Sequence, residues 1–155
     1  MTAEPALSFR RAVPADAGAI RALTRAAYAK WVPVIGREPL PMAADFEAAV
    51  RAHRFDLAYE GETMVGLIET VDEGDRLLVE NVAVAPNHHG RGIGTRLMAL
   101  AEDIARGLGR PRLRLYTNGR FEENIRLYRR LGYTIDSEEP VDGGMVRVNM
   151  SKRLA

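Results

Sequence analysis

The sequence predicts one α/β domain over residues 1–155, built on a mixed, mostly antiparallel sheet of six to seven strands. We expect a central parallel pair of strands and helices on both faces, a fold that some schemes class as α+β. The length of 155 residues fits one domain. Strand-like and helix-like periodicities alternate without a repeat, a linker or a low-complexity tract. A strand–helix–strand unit over residues 77–117 predicts the parallel pair, because such crossovers join parallel strands with a right-handed turn.

The N-terminal third predicts a strand, two helices and a loop between the helices. Ser8–Val13 is the predicted strand, and Pro14 suits the first turn of a helix over residues 14–28. Three prolines and a glycine in WVPVIGREPLP, residues 31–41, predict a loop or a broken helix. The stretch MAADFEAAVRAH, residues 42–53, predicts the second helix.

Three strands joined by two hairpins are predicted in the middle of the chain. The segments EGET and DEGD are typical of turns between strands. The strands are predicted at Phe55–Tyr59, Thr63–Val71 and Leu77–Ala85. Because short turns join antiparallel strands, we expect consecutive members of this set to pair antiparallel.

The C-terminal half predicts two helices and three strands. Apolar residues recur at spacings of four, three, four and four between residues 93 and 108, which is the period of an amphipathic helix. That helix is predicted over Gly92–Gly107. The remaining predicted elements are a strand at residues 112–117, a helix at Phe121–Leu131, and an antiparallel pair at Tyr133–Ser137 and Met145–Met150.

Composition excludes several functional classes. The chain has no cysteine, which excludes disulfides, thiolate zinc sites and a cysteine nucleophile. Twenty-two basic and 21 acidic residues leave a net charge of +1, which provides no general attraction to nucleic acid or anionic membranes. No run approaches the roughly 20 apolar residues of a membrane span, and Met1–Leu7 contains Glu4 and Pro5 rather than an apolar leader. We therefore expect a cytoplasmic protein.

Three glycines in NHHGRGIGTRL, residues 87–97, lie between a predicted strand and a predicted helix. The first N–H groups of a helix lack internal partners and lie at the positive end of its dipole, so this junction suits an anion. A P-loop is excluded because no lysine follows Gly94. A dinucleotide fingerprint is excluded because the third glycine comes one residue early and the next strand offers no acid for a ribose.

The stretch VENVAVAPNHHGRGIGTRLMALAE, residues 79–102, resembles the acetyl-CoA-binding segment of the GNAT superfamily of N-acetyltransferases. The pattern of that family, Gln/Arg-x-x-Gly-x-Gly/Ala, is matched at His89, Gly92 and Gly94. His89 departs from the usual first residue of the pattern. The backbone N–H groups of this segment do most of the phosphate binding in the family.

A second stretch, NIRLYRRLGY, resembles the later helix of the same family, which commonly ends in Tyr-x-x-x-Gly-Phe. Tyr128, Gly132 and Tyr133 stand at these positions. The order of strands and helices over nearly the whole chain is also similar. The resemblance implies an acetyl-CoA-dependent N-acetyltransferase that acts on a primary amine of a small molecule or a peptide, by direct attack in a ternary complex.

The resemblance also implies where acetyl-CoA binds. In the family the pantetheine arm lies between two splayed parallel strands, so the backbone of Val82 and Val84, on either side of Ala83, would hold it. Asn124 would bond the same arm, or else cap its helix or face solvent. The residues implied for the cofactor turn are His89, Gly90, Arg91, Gly92, Ile93, Gly94 and Thr95, with the pyrophosphate on the backbone from Gly90 onward.

Acetyl transfer to an amine needs a base for the amine proton and a donor for the departing thiolate. The resemblance implies Glu80, just ahead of NVAV, as the base, acting directly or through water. Glu69 is the second candidate and could also hold a cationic acceptor. Tyr128 is implied as the acid that meets the cofactor sulfur. The alternatives are an ion-paired or solvent-facing Glu80, and a Tyr128 that only packs in the core.

The acceptor pocket would lie near residues 29–42, where Trp31 offers an aromatic wall. Besides Glu69, the acidic residues Asp72, Glu73 and Asp75 suggest a cationic acceptor, although they also suit a turn. The resemblance leaves a homodimer open. The second functional hypothesis is a non-catalytic acyl-CoA-binding sensor or interaction module of the same fold.

Two other interpretations of the sequence are disfavoured. Adjacent histidines such as His88 and His89 point apart, and no third ligand is evident, so we expect no metal. Arginines are frequent from residue 110 to residue 130, but they are spread over helix and strand without interleaved aromatic residues on one face. We therefore expect a solvated surface rather than a nucleic-acid partner.

Overall fold

Seven strands form one mixed sheet in the order β1-β2-β3-β4-β5-β7-β6 in this computed structural model, which describes residues 6–154. The strands are β1 (Leu7–Arg11), β2 (Arg54–Glu60), β3 (Thr63–Asp72), β4 (Leu77–Val84), β5 (Arg112–Asn118), β6 (Thr134–Val141) and β7 (Met145–Arg153). The α-helices are α1 (Ala17–Tyr28), α2 (Val32–Ile35), α3 (Phe46–Ala52), α4 (Ile93–Gly107) and α5 (Glu122–Arg130). Among residues 6–154, only β4 and β5 pair in parallel, which confirms the predicted architecture.

Helices cover both faces of the sheet. On one face, α4 buries Ile93 and Leu97 against the sheet, together with residues of α5. On the other face, α1 and α3 bury Ile20 and Phe46 against β2 and β3. Full burial of one such side chain stabilises the fold by roughly 1.5–3 kcal/mol. The two apolar faces therefore fix the helices to the central strands.

Residues 31–41 include a broken helix, one of the two predicted alternatives: α2 ends at the left-handed Gly36, and a short helical turn follows at Leu40–Ala43. The bounds of α3 and β6 differ from the prediction. Helix α3 begins at Phe46 because the side chain of Asp45 accepts a hydrogen bond from Ala48 N, 3.1 Å away. Strand β6 runs on to Val141, four residues beyond its predicted end. It is an exposed edge strand, so it lacks the alternation that marks a half-buried strand.

Strands β4 and β5 stay together for only part of their length. Their parallel pairing ends at Val79 and Leu115, although β4 continues to Val84 and β5 to Asn118. A cleft opens where the two strands separate. This separation places the open end of the cleft beside the turn that leads into α4.

Strand β4 also contains an irregularity at Glu80. Adjacent residues of β3 pair with Val79 and Asn81, so Glu80 is an extra residue in the ladder. Val79 and Val82 both pack on the α4 face, which uninterrupted alternation along a strand would not allow. The bulge thus turns Asn81 toward α1, where its side chain meets that of Tyr28.

No helix among residues 6–154 has the length and apolar character to cross a membrane. We expected that Met1–Leu7 is not a leader segment. Most of that segment, residues 1–5, lies outside the described part of the chain.

Candidate active site

The open edge of β4 lies along one wall of the cleft. Ala85 N donates to Val65 O at 2.9 Å, so the backbone of Ala85 faces β3. Because successive residues of a strand alternate, the backbone groups of Val82 and Val84 face the opposite edge, where β5 has separated. An extended ligand with amide groups can pair with this edge as an added strand does.

The turn before α4 presents backbone N–H groups to the same cleft. Gly92 caps the helix with φ 77° and ψ 11°, and Gly90 has φ 78°, a left-handed region that favours glycine. The first intrahelical bond runs from Arg96 N to Gly92 O, at 3.0 Å. Within the described chain, no side chain caps the N–H groups that precede it. They lie at the positive end of the helix dipole, an arrangement that suits an anion.

The cleft has a volume of about 370 Å³ and brings together most of the residues that the sequence implied for a cofactor. Ala83 does not line it, because its side chain packs on the α1 face. Arg91 does not line it either; its Nη1 lies 3.7 Å from Glu60 Oε2. The implied residues that line the cleft are Val82, Val84, His89, Gly90, Gly92, Ile93, Gly94, Thr95, Asn124 and Tyr128.

The two adjacent histidines have different contacts. His89 Nε2 lies 3.1 Å from the carbonyl oxygen of Val84, on the open edge of β4. His88 Nε2 instead lies 3.7 Å from Glu60 Oε2. No group of three His, Cys, Asp or Glu residues in the described part of the chain could hold a metal ion.

Tyr128 projects from α5 and is 7% exposed. Burial raises the pKa of its hydroxyl to about 12, so the phenol stays protonated at neutral pH. Its ring centroid lies 6.1 Å from that of Tyr133. Asn124, one turn earlier, lines the same cleft. Tyr128 therefore belongs both to the core, as its helical spacing predicted, and to the wall of the cleft.

Glu80 lies at the bulge of β4 and is half-buried. Its Oε1 accepts a hydrogen bond from the hydroxyl of Tyr116 on β5, at 2.7 Å. Burial and this bond to Glu80 raise the pKa of Tyr116 to about 12, so Tyr116 is the donor. The carboxylate is therefore held where β4 and β5 begin to separate, but Glu80 is not among the residues that line the cleft.

Glu69 is more deeply placed than Glu80, with 5% of its surface exposed. Its Oε2 lies 2.6 Å from Nδ1 of His53, which caps the C-terminus of α3. Burial raises the pKa of Glu69, and the bond from His53 opposes that shift. Glu69 pairs with Asn81 across β3 and β4, so both candidate carboxylates lie close to the same point of the sheet.

A sequence model of the acetyltransferase (GNAT) family matches residues 20–133, which is more than half of the chain. The chain belongs to the GNAT family of acetyltransferases. Over 58 residues it is 43% identical to streptothricin acetyltransferase from Streptomyces lavendulae. That match covers 37% of this GNAT chain and 31% of the relative, so it spans less than a third of the relative's length.

Two solved structures resemble this GNAT protein over nearly its whole length. Nourseothricin acetyltransferase has a TM-score of 0.76 and 28% identity, covering 96% of this chain and 99% of that one. The PaiA N-acetyltransferase from Thermoplasma acidophilum, in complex with coenzyme A, has a TM-score of 0.78 and 17% identity, with coverage of 96% and 99%. At that identity the second likeness shows the fold alone.

Trp31 has a packing role in this GNAT protein. It is 8% exposed and stacks on Phe121, with ring centroids 4.4 Å apart and planes at 21°. Ile35 and Met145 complete the cluster. Trp31 therefore packs the segment after α1 against the start of α5. It also lines the cleft.

Two arginines in and just before β5 pair with acidic residues of the turn between β3 and β4. Asp72 pairs with Arg110 at 2.7 Å, and Glu73 pairs with Arg114 at 2.7 Å. The bond from Arg110 lowers the pKa of Asp72 to about 2. These carboxylates hold the turn against β5, so they give no support to a cationic acceptor.

Sequence reasoning missed Tyr28, which lines the cleft, and the side chains that contact the candidate carboxylates or their partner, namely His53, Tyr116 and Arg147. The hydroxyl of Tyr28 donates to Asn81 Oδ1 at 2.9 Å. The sequence offered only weak indications that Tyr28 and Tyr116 belong to a site. Each is a tyrosine near the end of a predicted element, Tyr28 in a helix and Tyr116 in a strand. His53 and Arg147 had none, because their partners are distant in sequence.

Proposed function

We propose that this GNAT protein transfers an acetyl group from acetyl-CoA to a primary amine by direct attack in a ternary complex. One observation carries the proposal: the open backbone edge at Val82 and Val84 leads directly to the uncapped first turn of α4. Such a cleft fits a ligand with an amide-containing arm and a pyrophosphate. Its volume of about 370 Å³ also lies within the usual range of cofactor sites.

The cleft offers contacts for two parts of acetyl-CoA. Val82 and Val84 offer strand-type backbone hydrogen bonds to the pantetheine amides. The N–H groups of Ile93, Gly94 and Thr95 would hold the pyrophosphate. The structural likeness to a protein in complex with coenzyme A supports this assignment at the level of the fold.

When bound, acetyl-CoA supplies a thioester that is open to attack by an amine. A carbon–nitrogen bond forms, the carbon–sulfur bond breaks, and the amine loses a proton. We assign the removal of that proton to Glu80, acting through water, since an alkylamine with a pKa near 10 is far more basic than a carboxylate. Tyr116 holds Glu80 in place for this step.

Tyr128 is assigned to the departing sulfur. An ordinary thiol has a pKa of about 8.5, well below the pKa of about 12 for Tyr128. Complete proton transfer from Tyr128 to the thiolate is therefore uphill. Tyr128 instead stabilises the developing negative charge by donating a hydrogen bond, and solvent completes the protonation.

The acceptor is proposed to be a small-molecule amine, with a peptide amine as the second candidate. The relatives named for streptothricin and nourseothricin support a small molecule. Glu69 lies near Glu80 and is the second candidate for the base. Its bond to His53 engages one carboxylate oxygen. Glu69 is also more deeply buried than Glu80.

The first test is a calorimetric titration with acetyl-CoA of the wild-type protein and Gly92→Glu. The variant places a negative side chain at the proposed pyrophosphate site, in a backbone conformation that disfavours any side chain. Gly107→Glu is the matched control, because Gly107 lies at the other end of α4 with open space around it. We expect wild type and Gly107→Glu to bind, and folded Gly92→Glu to bind at least 100-fold more weakly, because two like charges would meet there.

The second test is thiol release from acetyl-CoA with a panel of amines, for wild type and Glu80→Gln. We expect turnover by wild type and a loss of 10²- to 10⁴-fold in kcat for the variant. Binding of acetyl-CoA without turnover on any amine would instead favour a non-catalytic acyl-CoA-binding module. No binding at all would overturn the proposal.

A further inference from the structure

Arg147 on β7 is a cation beside the proposed base. Its Cζ lies 4.0 Å from the centroid of the Tyr116 ring. The hydroxyl at the end of the same ring donates to Glu80. Tyr116 therefore contacts both charged groups: the guanidinium of Arg147 stacks on its ring, and the carboxylate of Glu80 accepts from its hydroxyl. No salt bridge joins Arg147 and Glu80 directly.

The neighbours of Arg147 in the sheet use their polar groups elsewhere. Asn118 on β5 and Glu139 on β6 lie opposite it. Asn118 Oδ1 accepts from the backbone N–H of Arg120 at 2.9 Å. Glu139 Oε1 accepts from Asn149 Nδ2 at 2.6 Å. Neither cross-strand neighbour forms a hydrogen bond or a salt bridge with the guanidinium, although Glu139 keeps its negative charge.

The guanidinium is also partly removed from water. The side chain of Arg147 is half-buried, and its Nε is buried without a hydrogen-bond partner among residues 6–154. A buried charged donor without an acceptor is unfavourable, and stacking on an aromatic ring compensates for only part of that cost. A ligand cannot reach the buried Nε, but an anion that binds the terminal nitrogens would neutralise the guanidinium.

We infer that the acetyl acceptor carries an anionic group, such as a carboxylate, beside its amine, and that Arg147 binds this group while Glu80 faces the amine. The inference rests on the proposed function and narrows its acceptor class to amino-acid-like molecules. A guanidinium matches a carboxylate with paired, charge-assisted hydrogen bonds. An acceptor with positive charges alone would be repelled by Arg147.

The test compares amino acids with their own carboxamides as acceptors, with thiol release from acetyl-CoA as the assay. The two members of each pair differ in the carboxylate, and rates are compared per free amine, because the ammonium group of an amino acid has a higher pKa than that of its carboxamide. We expect wild type to favour the carboxylate by roughly 10- to 100-fold in kcat/KM, mainly through KM, as for a hydrogen bond to a charged group. In Arg147→Gln the ratio should fall to about one, and Arg147→Lys should keep part of it.

Arg112→Gln is the matched control, since Arg112 is an exposed arginine at the first residue of β5. It should keep the wild-type ratio. A wild-type preference for carboxamides or for streptothricin would overturn the inference and leave the proposed function intact. A ratio that Arg147→Gln does not change would do the same.

A binding measurement separates failure of the inference from failure of the proposed function. N-acetyl amino acids and their amides are titrated calorimetrically into the protein in the presence of coenzyme A. Carboxylate-selective binding that Arg147→Gln abolishes, with no turnover of any amine, would reject the transferase and retain the anion site. Equal or undetectable binding of both probes, together with no carboxylate preference in turnover, would reject the anion site.

Discussion

The imidazole of His89 lies against the open edge of β4, with Nε2 3.1 Å from the carbonyl oxygen of Val84. His89 is exposed and belongs to the turn before α4, whereas Val84 ends the strand. The contact occupies one of the backbone acceptors that we assign to the pantetheine arm. The cofactor would have to displace this imidazole to use that acceptor.

Replacement of His89 by alanine is therefore expected not to weaken acetyl-CoA binding. The lost bond is worth about 0.5–1.5 kcal/mol, so the affinity should stay unchanged or rise by up to about tenfold. Calorimetric titration measures the effect, with Asn87→Ala as the control on an exposed residue of the same turn. A tenfold weaker Kd for His89→Ala would mean that the imidazole itself binds the cofactor.

Replacement of Tyr128 by phenylalanine should lower kcat by about 10²-fold, because it removes the hydrogen bond to the departing sulfur. The Kd for acetyl-CoA and the melting temperature should change little, since no hydrogen bond joins this hydroxyl to another described residue. Tyr133→Phe is the matched control, because the Tyr133 hydroxyl is buried without a partner among the described residues. Equal kcat values for the two variants would remove Tyr128 from the mechanism.

The pH dependence of wild-type kcat offers a further check on Tyr128. Its pKa of about 12 keeps the phenol protonated, so its deprotonation should cause no loss of activity up to pH 10. A fall in kcat below pH 10 that disappears in Tyr128→Phe would contradict this expectation.

Glu69 should make folding stability depend on pH. Burial raises its pKa above the ordinary value of 4.5, so the folded state holds the proton more tightly than the unfolded chain does. Its stabilising contribution is then fully present below pH 4.5 and is lost as the pH rises through the raised pKa. Glu69→Gln should therefore gain stability relative to wild type across this window.

Melting temperatures of wild type and Glu69→Gln between pH 4 and pH 8 measure that difference. Glu62→Gln is the control, because Glu62 is exposed in the turn between β2 and β3. Parallel curves for wild type and Glu69→Gln would show that the bond from His53 fully offsets the burial of the carboxylate.

Trp31→Ala should destabilise the fold by about 3–5 kcal/mol, the usual cost of removing a buried aromatic side chain. Trp31→Phe retains a ring on Phe121 and should cost less. Denaturant unfolding measures both changes. A Trp31→Phe protein of near-normal stability whose KM for the acceptor rises tenfold would show that Trp31 contacts the acceptor directly.

The sequence by itself determined the mixed sheet, the order of its elements and the glycine turn before α4. These features are local or periodic: hairpin turns join neighbouring strands, α4 repeats its apolar residues every three to four positions, and glycines mark the turn at residues 90–94. The C-terminal half of strand β6 was not predicted. Its exposed edge position requires no alternation of polar and apolar side chains.

Only the tertiary structure decided which polar side chains meet at the candidate site. The pairs His53–Glu69, Tyr116–Glu80 and Arg147–Tyr116 join different elements of the chain, and no local pattern relates their members. The bulge at Glu80 is equally hidden, because the run LLVENVAV is compatible with an unbroken strand. Strand register and bulges set which side chains share a face, and they follow from packing among distant elements, not from the neighbours of a residue in sequence.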